Sequence, residues 1–457
     1  MNTLLVRSLM VATSLTIMGT AGQADELQDR LIPLAKPMVD GGRAMGLSVG
    51  VIADGEVTTF HLGQTAKGKS VANDDTVYEI GSISKVFTSV LLADAVERQQ
   101  LKLTQNAEEL LPQGSSMPEY GGTPITLLHL ATHRSGLPRL PSNLTEVQDD
   151  NPYSRYTSKR AMEFLRTHQL ARKPGQKYEY SNFGTSLLGY LVSKSSGKDY
   201  EALLRQTVTE PLGMQSTSVE LTASMKQRLA TPHDGSLTPT STWEFADLPG
   251  AGGIRSTLSD MMKFAQANLE PGDDGLGKAM ELAWRQHQGT GSGGPAMGLG
   301  WHVAGDGSTR WHNGGTGGYR CMMMVNRKLQ SAVVVLCNTA AEGIDPLAAK
   351  MLRSLAGEDV KPDVPTKEVQ VPVAKMKRLE GRYQLAPSFI FDVKVKGDKL
   401  MVVVTNQPTL QVFPKSETVW FYKVVEAEVT FNLDKNGRPR SLVLFQNGVR
   451  QTAKRIR

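Results

Sequence analysis

Apolar and polar positions follow two different periods along this chain. Residues 46–65 form two β-type runs separated by Ala53-Asp54-Gly55, which predicts a hairpin. Downstream, apolar side chains recur with the spacing of one helix face, and they predict helices over residues 83–96, 158–168, 182–193, 200–210, 258–269 and 346–355. Between the last two helices, residues 319–325 and 331–337 alternate again and predict a second hairpin.

Strands near both ends of this region, with helices between them, predict an α+β fold. We expect one antiparallel sheet flanked by helices, with an all-helical insertion, over residues 25–357. The pattern changes after Gly357, where residues 358–373 contain several prolines among charged residues and are typical of a linker. Residues 374–457 are short alternating runs with turns at Gly397-Asp398 and 434–437, which predict a small C-terminal β-barrel.

The N-terminus has the pattern of a secretory signal. A short segment with the cation Arg7 precedes an uncharged apolar stretch over residues 9–18, and Gly22-Gln23-Ala24 supplies small residues for cleavage after Ala24. The apolar stretch is shorter than the ~20 residues that a membrane span needs. We therefore expect residues 1–24 to be a signal peptide and the mature protein to be secreted, into the periplasm in a Gram-negative host.

Composition excludes several classes of protein. The chain has 457 residues, with 51 Lys and Arg against 45 Asp and Glu and no long basic run, so a nucleic-acid partner is not expected. Only 2 Cys are present, so the fold must depend on core packing. Cys321 and Cys337 fall on adjacent predicted strands, which leaves a disulfide between them possible. No metal and no cofactor is predicted.

Ser82-Ile83-Ser84-Lys85 is the strongest candidate for catalysis. One helical turn places the Ser82 hydroxyl and the Lys85 ammonium on the same face, at a helix start that stabilises negative charge. A desolvated lysine can have a pKa low enough to accept the serine proton. A second match to the Ser-x-x-Lys pattern, residues 195–198, contains a glycine where a helix ends, and we interpret it as a loop.

Two further segments carry candidate site residues. Tyr180-Ser181-Asn182 precedes an apolar helix, where Tyr180 could relay a proton and Asn182 could hold a substrate carbonyl. His312-Asn313-Gly314 opens a glycine-rich run before the strand that begins at Tyr319, and backbone N–H groups there could bind an oxyanion. Taken alone, each segment also has a structural interpretation, as a packed aromatic residue and as a tight turn.

Two other patterns are expected to be structural. Gly46-Leu47-Ser48-Val49-Gly50 fits a nucleophile elbow, but Ser48 lies between two β-runs and not between a strand and a helix. His129 and His133 have the spacing of a zinc-protease helix but lack its glutamate.

In this order, Ser82-x-x-Lys85, Tyr180-Ser-Asn182 and His312-Asn-Gly314 resemble the three motifs of the serine β-lactamase and penicillin-binding protein superfamily, in its class C β-lactamase-like branch. The resemblance covers residues 26–357, and the C-terminal part resembles the lipocalin-like domain of many members. It implies that Ser82 forms an acyl-enzyme and that Lys85 and Tyr180 share the acid–base work, with either as the base. It further implies substrate binding by Asn182, His312 and Gly314, and an oxyanion hole between the Ser82 N–H and an N–H around Tyr319 or Arg320.

The third motif departs from the family pattern. Class C β-lactamases have Lys-Thr-Gly where this chain has His312-Asn313-Gly314, and an imidazole near neutral pH is mostly uncharged. The resemblance therefore implies a periplasmic serine hydrolase that cleaves β-lactams or D-amino-acid peptides, with a carboxylesterase as the alternative, because relatives with histidine here are often esterases or D-amino-acid peptidases. A non-catalytic binding protein with a vestigial cleft is a third hypothesis.

Overall fold

The computed structural model describes residues 21–146, 150–289, 294–363, 368–407, 409–423, 425, 427–446 and 448–456. Most of the predicted signal peptide, residues 1–20, lies outside the described residues, as do residues 364–367 of the predicted linker. In the described part of the chain, no helix is long and apolar enough to cross a membrane.

The main body is built on a six-stranded antiparallel sheet. Its strands and those of a short ribbon are β1 (Gly46–Ala53), β2 (Glu56–Gly63), β3 (Val77–Glu79), β4 (Arg255–Thr257), β5 (His302–Val303), β6 (Thr309–Gly315), β7 (Arg320–Asn326) and β8 (Ser331–Cys337). The order β2-β1-β8-β7-β6-β5 pairs the first predicted hairpin with the second and confirms the α+β fold. The insertion also contains the β3-β4 ribbon, whose strands are too short to give a period-2 signal in the sequence.

Helices cover both faces of the sheet. Those of the main body are α1 (Ala21–Asp40), α2 (Ser84–Glu97), α3 (Leu127–Ala131), α4 (Ser158–Thr167), α5 (Asn182–Ser196), α6 (Tyr200–Leu204), α7 (Ala223–Gln227), α8 (Leu258–Leu269), α9 (Gly275–Trp284) and α10 (Ile344–Leu355). Helices α1 and α10 pack on one face, and α8 packs on the other, together with the rest of the insertion. The helix predicted over 200–210 is α6 followed by a π-type turn, Arg205–Thr209.

The two cysteines do not form a disulfide. Cys321 on β7 lies opposite Leu336, whereas Cys337 on β8 lies opposite Arg320. Because neighbouring residues of a strand point to opposite faces, Cys321 joins the core under α8 and Cys337 joins the core under α1 and α10. Both thiols are free, and the bond that the sequence left possible is excluded by geometry.

The C-terminal residues form the predicted small β-barrel. After α11 (Val373–Leu379), the strands are β9 (Gly381–Ala386), β10 (Phe389–Lys396), β11 (Lys399–Val404), β12 (Thr409–Pro414), β13 (Val419–Phe421), β14 (Ala427–Leu433), β15 (Pro439–Gln446) and β16 (Val449–Arg455). They close in the order β10-β11-β12-β13-β14-β15-β16-β9. Large side chains such as Tyr383, Phe391 and Trp420 fill the interior, so the barrel has a packed core.

Candidate active site

Ser82 lies in the turn that leads into α2. A 3₁₀ turn spans Gly81–Ile83, and α2 begins at the next residue. Gly81 has a φ of +52°, a value that favours glycine, and a methyl group at this position would lie 2.6 Å from the backbone nitrogen of Gly315. The turn therefore places Ser82 at a helix start, as predicted, and against the end of β6.

Lys85 is fully buried in the first turn of α2. Its Nζ lies 3.0 Å from Ser82 Oγ and donates a hydrogen bond to the carbonyl oxygen of Ala251 at 2.7 Å. Burial, and to a smaller extent the charge of Arg139, lowers the pKa of Lys85 well below its usual value. An amine with a lowered pKa has a lone pair available, so Lys85 is able to accept the proton of Ser82.

Tyr180 completes the centre from the residue before the N-cap of α5. The N-cap is Ser181, whose Oγ accepts from the N–H of Gly184 at 2.8 Å and whose own N–H donates to His133 Nδ1 at 3.2 Å. The Tyr180 ring packs on the ring of His133, with centroids 4.4 Å apart, and lies 4.9 Å from Lys85 Nζ. Burial raises the pKa of Tyr180 to about 12, although a hydrogen bond with Ser82 opposes the shift. Near neutral pH the phenol is therefore protonated and able to donate.

Asn182 is the first residue of α5 and lines the same cleft as Ser82. Its Nδ2 donates to the hydroxyl of Tyr153 at 3.4 Å. Its Oδ1 has no hydrogen-bond partner among the described residues. A substrate N–H would satisfy this oxygen, in keeping with the predicted binding role.

His312 and Gly314 lie on β6 and are not among the residues that line the cleft with Ser82, although the family resemblance implies that they bind substrate. His312 has no exposed surface, lies 6.3 Å from Tyr180 between ring centroids, and donates from Nδ1 to the Asn313 carbonyl at 2.6 Å. Burial, with His302 and Lys85 nearby, lowers the pKa of His312 well below its ordinary value, so the imidazole is uncharged. A methyl group on Gly314 would lie 1.9 Å from the Ile80 carbonyl oxygen, so this glycine allows β6 to pack against the nucleophile turn.

Tyr319 is not among the residues that line the cleft around Ser82. Its side chain is fully buried, and its hydroxyl donates to the carbonyl of Ala230 at 2.5 Å. Both β6, which enters the glycine run, and β7, which leaves it, pack against the turn that carries Ser82, and β6 makes the larger contact. Of the glycine run, Gly315 and Thr316 line the cleft, and the backbone nitrogen of Gly315 lies against Gly81, the residue before Ser82.

Comparison with known proteins agrees with this geometry. Residues 31–357 match the family model described as Beta-lactamase, which is more than half of the chain. The chain belongs to the β-lactamase family. Residues 365–454 match a second model, described as a domain of unknown function, DUF3471.

Two curated relatives and one solved structure resemble this β-lactamase-family protein over more than half of its chain. The D-alanyl-D-alanine-carboxypeptidase/endopeptidase AmpH of Escherichia coli (strain K12) is 31% identical over 271 residues, 58% of this chain and 69% of AmpH. Penicillin-binding protein 4* of Bacillus subtilis (strain 168) is 25% identical over 410 residues, 84% of this chain and 88% of that protein. A class C β-lactamase structure superposes with a TM-score of 0.65 at 22% identity, over 74% of this chain and 98% of that one. These relatives support a hydrolase like the β-lactamases and D-alanine carboxypeptidases.

An aromatic wall that the sequence did not reveal lines one side of the cleft. Tyr153 stacks on Phe245 with centroids 4.9 Å apart and meets Trp243 edge-on at 5.3 Å. All three rings line a cleft of about 290 Å³ together with Ser82 and Asn182. The rings come from loops without periodic pattern, so only tertiary contacts bring them together.

The nucleophile-elbow pattern around Ser48 is structural in this family member, as expected. Ser48 is fully buried in β1, where its Oγ lies 2.8 Å from the Tyr78 hydroxyl and 2.9 Å from His61 Nδ1, and His61 Nε2 lies 3.1 Å from Asp74. Although this is a serine–histidine–aspartate chain, no substrate can reach a hydroxyl that has no exposed surface.

The other matches are also structural. The second Ser-x-x-Lys ends α5, with Gly197 in the left-handed conformation. His129 serves in the cap of α3, where its Nδ1 accepts from the N–H of Thr126 at 3.1 Å.

We expect Gly314→Ala to destabilise the protein by about 2 kcal/mol, because the new methyl group would force β6 away from Ile80. Activity should fall as well, since the same displacement moves Gly315 away from Ser82. Thermal unfolding and hydrolysis rates would measure both effects. Gly305→Ala is the matched control, since a methyl group there meets no atom within 4 Å. Equal stability of the two variants would contradict this packing argument.

We also expect the free energy of unfolding to fall as the pH drops from about 6.5 to about 4. His302 is 6% exposed, and burial, with a smaller contribution from Lys85, lowers its pKa to about 4. The unfolded chain gains this proton near pH 6.5, whereas the folded protein does not until about pH 4, so stability present above this window is lost within it. His302 alone accounts for about 3 kcal/mol of that loss. His133 and His312, whose pKa values burial also lowers, act in the same direction.

Urea unfolding of the wild type and of His302→Gln across this range measures the contribution. The variant should show a shallower pH dependence, because one proton fewer is taken up on unfolding. Superimposable pH dependences would contradict the assignment.

Proposed function

We propose that this hydrolase acts through an acyl-enzyme on Ser82. The observation that carries the proposal is the placement of Lys85 Nζ 3.0 Å from Ser82 Oγ, with Tyr180 hydrogen-bonded to the same serine. Nucleophile, base and acid are thus within reach of one another before any substrate binds.

Acylation begins when Ser82 Oγ attacks the substrate carbonyl carbon and its proton passes to the neutral amine of Lys85. The carbonyl oxygen becomes an oxyanion, and the backbone N–H groups of Ser82 and Gly315 stabilise it. When the intermediate collapses, the C–N bond of a lactam or peptide breaks, and the proton moves from Lys85 through Tyr180 to the leaving nitrogen. The lowered pKa of Lys85 and the raised pKa of Tyr180 favour the lysine as base and the tyrosine as acid.

Deacylation uses the same groups, with water as the nucleophile and Ser82 Oγ as the leaving group. Water transfers a proton to the neutral amine of Lys85 while its oxygen attacks the acyl carbon. The bond to Ser82 Oγ breaks, the serine regains a proton, and a carboxylic acid is released.

The substrates that we favour are β-lactams or D-amino-acid peptides, as in the relatives whose names describe such activities. A carboxylesterase on short acyl esters is the second candidate. Two observations favour it: the third motif holds a buried, uncharged histidine and so offers no cation for a substrate carboxylate, and the aromatic wall beside Ser82 suits an apolar acyl group.

Labelling and a rate panel test the proposal together. The protein is incubated with a fluorescent penicillin and with a fluorophosphonate, and adducts are mapped by mass spectrometry. Rates are then compared for nitrocefin, a D-Ala-D-Ala peptide and p-nitrophenyl butyrate. We expect an adduct on Ser82 and turnover of nitrocefin or the peptide. Turnover of the ester alone would favour the esterase, and no adduct with either probe would favour a non-catalytic binding protein.

We further propose that the protein works in the periplasm after loss of residues 1–24, with a catalytic domain over 25–357 and a barrel over 374–457 as an accessory domain. The signal pattern in the sequence supports the location, and the closed barrel with its own core supports the division.

A further inference from the structure

Arg139 lies in the loop after α3, and its backbone is fixed against the second motif. The Arg139 carbonyl oxygen accepts from the N–H groups of Asn182 at 3.1 Å and Phe183 at 3.2 Å. These bonds attach the loop to the first turn of α5. The position of Arg139 beside the active centre is therefore set by the same helix that places Tyr180 and Asn182.

The Arg139 side chain lies over the catalytic tyrosine. Its guanidinium carbon is 5.0 Å from the centroid of the Tyr180 ring, and the residue is exposed. Within the described ranges, no carboxylate forms an ion pair with it. Its charge nevertheless acts on the centre, since it contributes to lowering the pKa of Lys85 and opposes the rise in the pKa of Tyr180.

Arg320, the other arginine whose charge affects Tyr180, is already neutralised. Its Nε and Nη2 donate to the two carboxylate oxygens of Asp345 at 3.0 and 2.5 Å. The third motif supplies no cation either, because His312 is buried and uncharged. Among the described residues around Tyr180, Arg139 is thus an exposed cation without a counter-ion.

We propose that Arg139 is a specificity residue that binds a carboxylate on the leaving-group side of the substrate. Tyr180 protonates the leaving atom in the proposed function, on which this inference rests, and a cation over its ring faces that part of the substrate. A guanidinium binds a carboxylate through two parallel hydrogen bonds, a geometry that lysine and histidine do not provide. The substrate class is an acyl derivative whose departing portion ends in a carboxylate, such as a peptide with a free C-terminus.

A matched pair of esters tests this inference. Phenylacetylglycine is esterified with 3-hydroxybenzoic acid or with 3-hydroxybenzamide, so that the two leaving groups differ only in carboxylate against carboxamide. The ratio of kcat/KM for the acid to that for the amide is measured in the wild type, Arg139→Gln, Arg139→Lys and Arg166→Gln. Arg166 is an exposed arginine on α4 and controls for the change in net charge. The ratio cancels any loss of folded protein.

We expect the ratio to fall about tenfold in Arg139→Gln, less in Arg139→Lys, and not at all in Arg166→Gln. Added salt should lower the wild-type ratio and leave that of Arg139→Gln unchanged. An unchanged ratio in Arg139→Gln would overturn the role of Arg139 while leaving the acyl-enzyme proposal intact. A wild-type enzyme that hydrolyses neither ester and forms no adduct on Ser82 would contradict both proposals.

Discussion

Ser82→Ala is expected to reduce turnover of every substrate by at least about 10⁴-fold while the protein remains folded. The hydroxyl is the atom that forms the acyl bond, and the described residues beside it, Lys85 and Tyr180, are placed to move protons and not to attack. Its removal costs little stability, because Ser82 is partly exposed and contributes no side-chain cap to its turn. Steady-state rates and thermal unfolding of the same preparation test both parts.

Ser48→Ala is the matched control for that experiment, since Ser48 is the other serine in a nucleophile pattern. Its loss leaves the Tyr78 hydroxyl and His61 Nδ1 without a buried partner, which costs about 1 kcal/mol or more. Activity per folded molecule should be retained. If Ser48→Ala lost activity and Ser82→Ala kept it, the nucleophile would be misassigned.

Local patterns allowed the sequence to predict the centre of the site. Ser82 and Lys85 are one helical turn apart, so a short stretch of chain determines their relative position, whereas Tyr180 reaches them through the packing of its segment on His133. The same is true of the two hairpins, whose turns are fixed by Asp54-Gly55 and by residues 327–330. Where the chemistry depends on neighbours in the chain, composition and spacing were sufficient.

Long-range contacts determine what the sequence could not predict. The glycine run from Gly314 does not reveal which of its residues line the cleft, where the structure places Gly315 and Thr316 and not Tyr319. The deciding contact is the packing of Gly314 on Ile80, more than two hundred residues away. Arg139 reaches the Tyr180 ring, and Phe245 reaches the cleft, from loops where no hydrophobic period marks them.

Lys85→Met is expected to lower kcat/KM by about 10³-fold, because methionine fills the buried space and cannot accept a proton. The pH dependence gives a second, independent signature. Lys85 acts as the base only when neutral, so wild-type activity should be lost as the pH falls through the lowered pKa of this lysine. This fall in rate at low pH is the acidic limb of the pH profile. The residual activity of Lys85→Met should lack the acidic limb, since the titrating amine is gone.

Lys198→Met is the matched control for this prediction, because Lys198 belongs to the second Ser-x-x-Lys pattern. It is exposed after the end of α5 and hydrogen-bonds to Gln206, so its replacement should change neither the rate nor the pH profile. If Lys85→Met kept the acidic limb of the wild type, the limb would belong to another group and Lys85 would not be the base. If Tyr180 were the base in place of Lys85, the phenol would have to ionise despite its pKa of about 12. The wild-type rate would then rise toward strongly alkaline pH.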